Sequence, residues 1–289
     1  VRSLTEPGDS VLIQQPVYHP FHNVIVNNGR KLVNSPLLYQ NGKYTMDFAG
    51  LEEKIIQHQV KLLLLCSPHN PVGRVWTREE LEAVGDICLR HGVIVVADEI
   101  HGDFVWEGHR HTVFASIKEE FAQNCLVCTA PSKTFNLAGL QASNIFIPNP
   151  EIRGRFCQEM DRIGCTRLNL MGILACKTAY AHGAGWLEQV KEYLWDNAQF
   201  VREYLRTQLP QISMGDFQGT YLLWLDFSRL GMTDQELEDF LLHKAGLWMD
   251  PGTKFGQEGS GFQRMNIACS RQVLRQAMDK LKQALEEVQ

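Results

Sequence analysis

The sequence predicts an α/β fold: a mostly parallel sheet flanked by helices, with a smaller C-terminal α+β domain behind it. Three observations lead there. Short apolar runs alternate with amphipathic helical stretches as far as about residue 148, the pattern of βαβ units. After Pro148-Asn149-Pro150 the texture turns to long helices, and the tail then alternates strand, helix, strand and helix. The 289 residues, 44% hydrophobic and 21% charged, have a globular mix and enough length for one large core or two smaller ones.

Taken in order, residues 11–15, 31–33, 62–66, 93–98, 126–129 and 144–147 are the expected strands. The runs Leu62-Leu-Leu-Leu-Cys66 and Val93-Ile-Val-Val-Ala97 are apolar throughout, as strands covered on both faces must be. Helices are expected at 47–57 and 77–91. Thr77-Arg-Glu-Glu80 has the form of a capping box, Leu81, Val84, Ile87 and Cys88 recur on one face, and Gly92 stands at the stop position. Further helices are expected at 151–162, 170–181 and 186–208. The last presents Leu187, Val190, Leu194, Phe200 and Leu205 as a core-facing stripe and bridges two domains, 1–184 and 185–289. In the tail, strands at 221–227 and 262–268 alternate with helices at 234–245 and 272–288. The opening Val1–Asp9 segment reads as the last turn of a helix and its stop signal.

Composition narrows the functional class. A net charge of −5 with no run of Lys or Arg argues against nucleic acid or an anionic membrane as the partner. The longest apolar stretches are far too short to span a bilayer. Eight cysteines are scattered, and only Cys125-Leu-Val-Cys128 has a metal-like or redox-like spacing. On a strand, residues three apart face opposite ways, so those thiols are expected to be free, in a reducing cytoplasm, with no metal bound.

Open α/β sheets bind ligands at the carboxyl ends of their strands. One rim would therefore carry Tyr18, Asn70, Asp98, His101 and Lys133. A lysine there is a candidate nucleophile or Schiff-base former. A metal site of His101, His109 and His111 with Asp98, Glu99 and Asp103 is the weaker alternative, since the spacing fits no ligand pattern; His109 and His111 are expected as solvated loop residues.

The motifs Asn70-Pro71-x-Gly73, Asp98-Glu99-x-His101 and Ser132-Lys133-x-Phe135-Asn136, followed by Arg264-Met-Asn-Ile-Ala-Cys269, occur in this order along the chain. In them the sequence resembles the class I/II aminotransferase family of pyridoxal-phosphate enzymes, of fold type I, and within it the cystathionine β-lyase or C–S lyase branch. The resemblance implies pyridoxal 5'-phosphate as cofactor, a small amino-acid substrate and a homodimer. It implies Lys133 as the catalytic Schiff-base lysine and Asp98 as the partner of the pyridine nitrogen. Asn70 would bond the ring's phenolic oxygen, Tyr18 would stack on the ring, and Ser132 would help hold the phosphate. Arg264 would grip the substrate carboxylate; on the residues alone, pairing with a structural carboxylate is equally open. His101 stands where transaminases of the family carry Tyr, and Gln141 where they carry a phosphate-binding Arg. Both departures are those of the lyase branch. The implied reaction is β-elimination of cystathionine or cysteine to pyruvate, ammonia and a thiol or sulfide, with transamination as the alternative and a purely regulatory role as a more distant one. The family's phosphate-binding turn is absent from this sequence, so the chain is expected to be the C-terminal portion of a longer one.

Overall fold

The computed structural model describes residues 1–165 and 167–287. In chain order the elements are β1 (Ser10–Ile13), α1 (Pro20–Val26), β2 (Lys31–Asn34), β3 (Leu38–Gln40), β4 (Lys43–Thr45), α2 (Phe48–His58) and β5 (Leu62–Cys66). Next come α3 (Arg78–Arg90), β6 (Ile94–Asp98), α4 (Glu119–Ala122), β7 (Cys125–Thr129), α5 (Pro131–Thr134) and β8 (Asn144–Phe146). Three helices succeed them, α6 (Pro150–Arg162), α7 (Leu170–His182) and α8 (Ala184–Gln208). The tail holds β9 (Ser213–Met214), β10 (Leu222–Asp226), α9 (Asp234–Asp239), β11 (Asp250–Pro251), β12 (Phe262–Asn266) and α10 (Arg271–Glu286).

The first sheet runs β2-β1-β5-β6-β7-β8, parallel except for the edge strand β8, which pairs antiparallel with β7. Both faces are covered, which is why β5 is buried along its length. On one face Leu51 and Ile55 of α2 and Leu81, Val84 and Ile87 of α3 form a core with Phe114 and Phe121. On the other, Phe21 and Ile25 of α1 and Ile152 of α6 pack on Val11, Leu62 and Leu64. The tail forms a four-stranded antiparallel sheet, β11-β12-β10-β9, packed against α8 and α10 through Leu194, Val201, Leu223 and Leu281.

Most expected elements occur within two residues of their expected bounds. Thr77 closes a full capping box with Glu80, and Gly92 takes a φ of 65° after α3. Val1–Thr5 makes one helical turn, with the Thr5 N–H donating to the Val1 carbonyl at 3.1 Å. The helix expected at 234–245 changes character: α9 gives way to a π-helical turn, Phe240–Lys244. Phe240, Leu241 and Ala245 all remain buried in the same core through this wider turn. The expected strand at 262–268 stops at Asn266, and the helix expected at 272–288 is α10, with Val288 outside the described residues. Among the described residues no helix is long and apolar enough to cross a membrane.

Gly85 shows how tightly the α3 face is filled. A Cβ there would meet the Phe121 ring carbons at 2.3–2.8 Å, and that ring is buried and stacked on Phe114. Gly85→Val should therefore destabilise the fold by about 1–3 kcal/mol in denaturant titration; an unchanged midpoint would show that the ring can move aside.

Candidate active site

The strands β5, β6 and β7 end level with one another: Cys66 pairs with Asp98, and Asp98 with Cys128. The chain leaving this edge carries each predicted group. Asp98 is the last residue of β6, and its Oδ1 accepts the Ile100 N–H at 3.2 Å. Its other oxygen has no hydrogen-bond partner among the described residues, and the side chain opens on a groove of about 580 Å³ that Tyr18, Ile100, Thr129 and Ala130 also line. Protein surrounds the carboxyl closely elsewhere. Desolvation pushes its pKa up to about 6, against the Ile100 hydrogen bond and the Lys133 charge. A cationic N–H donor in the groove would restore the charged form.

His101, on the turn after β6, is buried, and its pKa is pushed down to about 3 by burial and then by the Lys133 and Arg264 charges. The ring is thus neutral near physiological pH. Its Nδ1 is buried without a hydrogen-bond partner among the described residues, and the ring meets Tyr221 edge-on at 5.6 Å between centroids. Tyr18 is half-buried and keeps its proton, because burial and then the Asp98 charge raise its pKa. Lys133 lies in α5, a single turn that Pro131 starts. It opens on a second cavity of about 370 Å³, walled by Phe104, Trp186 and Tyr221. Ser132 is half-buried beside it, and its hydroxyl has no hydrogen-bond partner among the described residues. Gln141 is exposed.

Asn70 sits in a braced loop. The His69 N–H donates to the Arg74 carbonyl at 2.8 Å, and the Gly73 carbonyl accepts the Gln218 and Gly219 N–H groups at 3.1 and 3.0 Å. Gly73 has a φ of 74°, which glycine adopts without strain. Asn70 Oδ1 accepts from Arg264 Nη1 at 2.9 Å. Arg264, on β12, also pairs with Asp250 directly opposite on β11 and lies over the Phe255 ring at 4.7 Å. Arg264 therefore does have a structural carboxylate as partner. Asp250 does not saturate the guanidinium, which has more N–H donors than Asn70 and Asp250 occupy. Asp250 is held below its ordinary range by Lys254, at 2.7 Å, and by Arg264, which together outweigh its burial.

One expectation is corrected. His111 is not a solvated loop residue: its Nε2 lies 2.8 Å from Glu99 Oε2, and only 14% of its side chain is exposed. The buried Glu99 also accepts the Phe114 N–H at 2.8 Å, so the carboxylate recruits the imidazole as part of its own solvation. His109 is exposed, as expected. The imagined His/Asp/Glu metal cluster does not assemble; among the described residues no three such groups converge on a possible ion site. Cys125 and Cys128 face opposite sides of β7, Cys125 in the α3-side core and Cys128 on the Asp98 groove. Asp250 and Tyr221 are the site neighbours that sequence reasoning does not reach. A two-residue strand such as β11 has no periodicity by which Asp250 could be recognised as the partner of Arg264.

The family model for aminotransferases of class I and II matches residues 2–281. The chain is 45% identical over 285 residues to cystathionine beta-lyase PatB of Bacillus subtilis, covering 99% of this chain and 74% of that protein. It is 33% identical to protein MalY of Escherichia coli, covering 100% of this chain and 73% of the relative. Cystalysin from Treponema denticola, whose crystal structure contains a pyridoxal 5'-phosphate cofactor, superposes with a TM-score of 0.98 at 41% identity, over 100% of this chain and 73% of that one.

The raised pKa of Asp98 has a sign that can be measured. The folded protein holds that proton more tightly than the unfolded chain, so the favourable contribution is complete below about pH 4 and is lost as pH rises through about 6. In the ligand-free protein, Asp98→Asn should match the parent at low pH and exceed its stability above about pH 6. The gap should be of order 1–2 kcal/mol, because water in the groove screens part of the penalty. A gap that does not change with pH would contradict the assigned environment.

Proposed function

The chain belongs to the aminotransferase class I and II family, and from that membership we propose that it is a pyridoxal 5'-phosphate-dependent carbon–sulfur lyase. It cleaves the Cβ–S bond of cystathionine or a cysteine derivative to give pyruvate, ammonia and a thiol or sulfide. The observation that carries this proposal is the joint placement of Asp98, Lys133, Asn70 and Arg264 around one strand edge, in a chain 45% identical to a cystathionine beta-lyase.

The residues present fit the cofactor. Asp98 offers a half-buried carboxylate with one free oxygen, the group needed by a protonated pyridine nitrogen. Tyr18 and Ile100 line the same groove and can flank a flat ring. Asn70, its Oδ1 occupied by Arg264, has an amide N–H pair left for the phenolic oxygen. Ser132 has a free hydroxyl for the phosphate. When bound, pyridoxal 5'-phosphate supplies an electron sink that lets the Cα–H bond of an amino acid ionise.

This chain's own groups then do the positioning and the proton work. Lys133 would hold the cofactor through its Nζ, and the same amine would serve as the base for the Cα proton of a bound amino acid. Arg264 binds the α-carboxylate with the donors that Asn70 and Asp250 leave free, which fixes Cα relative to Lys133. His101, kept neutral, adds no second cation beside the lysine. The relatives include cystathionine beta-lyases and C–S lyases at higher identity than the aspartate aminotransferases, at 26%, and this favours elimination over transamination.

We assign the working assembly as a homodimer. Helix α7 exposes Leu170, Met171, Ile173, Leu174 and Tyr180, an apolar surface that a second copy would cover. Substrate is a small amino acid, with no nucleic-acid or membrane partner, and the free thiols suit a cytoplasmic setting.

Protein reconstituted with the cofactor should release pyruvate and thiol from cystathionine without any keto acid. Strict dependence on a keto acid acceptor would overturn the lyase assignment. Lys133→Ala should abolish release, whereas Arg264→Lys should raise KM by about tenfold or more, because a two-pronged carboxylate contact is lost. By sedimentation, Leu174→Glu should shift the dimer towards monomer; an unchanged dimer would place the interface elsewhere.

A further inference from the structure

One carboxylate of the Asp98-Glu-Ile-His-Gly-Asp103 segment has no part in the proposed chemistry, yet it is tied to the lysine turn. Thr134 Oγ1 donates to Asp103 Oδ2 at 2.6 Å. Thr134 is buried and directly adjoins Lys133, whereas Asp103 is exposed. Helix α5 packs against α7 but has few polar side-chain ties. It is four residues long, its N-cap is Ala130, and that cap makes no side-chain hydrogen bond. The Thr134–Asp103 bond is the only side-chain hydrogen bond made by residues 131–134 among those described.

The other end of the tie is rigid. The Gly102 N–H donates to the Glu99 carbonyl, and the Phe104 N–H to the His101 carbonyl, both at 2.9 Å. A Cβ at Gly102 would meet the His111 ring at 2.9 Å and the Glu99 carbonyl at 3.1 Å, so the turn is closed against the His111–Glu99 pair. The Phe104 carbonyl in turn accepts the Thr220 N–H at 2.8 Å. Asp103 is therefore a fixed point on the segment that begins with Asp98, and Thr134 is the handle by which it grips α5. A hydrogen bond from a hydroxyl to a carboxylate is short and strong, as such a tie requires.

We propose that Asp103 is a positioning residue, which through the Thr134 hydroxyl holds the lysine turn in register with Asp98. This rests on the assignment of Lys133 as the Schiff-base lysine. The tie sets where Nζ can reach, and a small displacement of a base from its proton costs rate steeply. Substrate binding at Arg264, on the other sheet, does not depend on it.

The test compares holoenzyme carrying Asp103→Ala, Thr134→Val or Thr134→Ser with the parent. Thr134→Val keeps the buried volume and removes only the hydroxyl, so it remains informative if Asp103→Ala folds poorly. For Asp103→Ala and Thr134→Val, kcat should fall about tenfold with KM within about twofold. The fraction of bound cofactor absorbing as the lysine Schiff base, and not as free aldehyde, should fall by at least half. Thr134→Ser should restore both, and the double variant should be no worse than either single one. A Thr134→Val enzyme with kcat and Schiff-base fraction within about twofold of the parent would overturn the proposal while leaving Lys133 in its role. A parent that shows no Schiff-base absorption dependent on Lys133 would instead overturn the assignment on which it rests.

Discussion

A half-buried carboxylate at the end of a central strand is the constraint around which this site is built. Asp98 lies between β5 and β7, so neither water nor a neighbouring cation solvates it fully, and its pKa rises to about 6. Such a group costs stability while it is unpaired and regains it from a cationic N–H in the groove. The sheet supplies what that arrangement needs. Because β5, β6 and β7 end level, the loops after them deliver Asn70, His101 and Lys133 to the same edge without long excursions.

The second sheet completes the site from the opposite side. Arg264 reaches Asn70 from β12, and the indole N–H of Trp224 on β10 donates to the Tyr44 hydroxyl at 3.0 Å. Trp224, Phe255 and Phe262 join the same hydrophobic core as α2 and α3. Arg264 is thereby anchored to the sheet that carries Asp98. Asp250 and Phe255 hold its guanidinium on two further sides, so the side chain keeps little rotamer freedom.

Much of this was legible in the sequence, for identifiable reasons. Continuous apolar runs such as Leu62–Cys66 can hardly be anything but buried strands, and Thr77 with Glu80 marks the start of α3 as a local interaction. The rim residues could be read from the strand ends, since the loop that leaves a parallel strand must start at the sheet's carboxyl edge. What escaped is what depends on contacts between distant segments. The Glu99–His111 pair, the Asp250–Arg264 pairing and the Thr134–Asp103 bond join residues 12, 14 and 31 apart. No local periodicity encodes them. The π-helical turn at Phe240–Lys244 escaped as well, because its apolar spacing does not differ from that of a regular helix.

The central claim is that Lys133 is the residue that holds the cofactor. Borohydride reduction of the reconstituted protein, followed by digestion and mass spectrometry, measures this directly. We expect the reduced cofactor to be fixed to the peptide that contains Lys133 and to no other lysine. Attachment at a different lysine, or protein that binds the cofactor yet retains none after reduction, would contradict the assignment of this site.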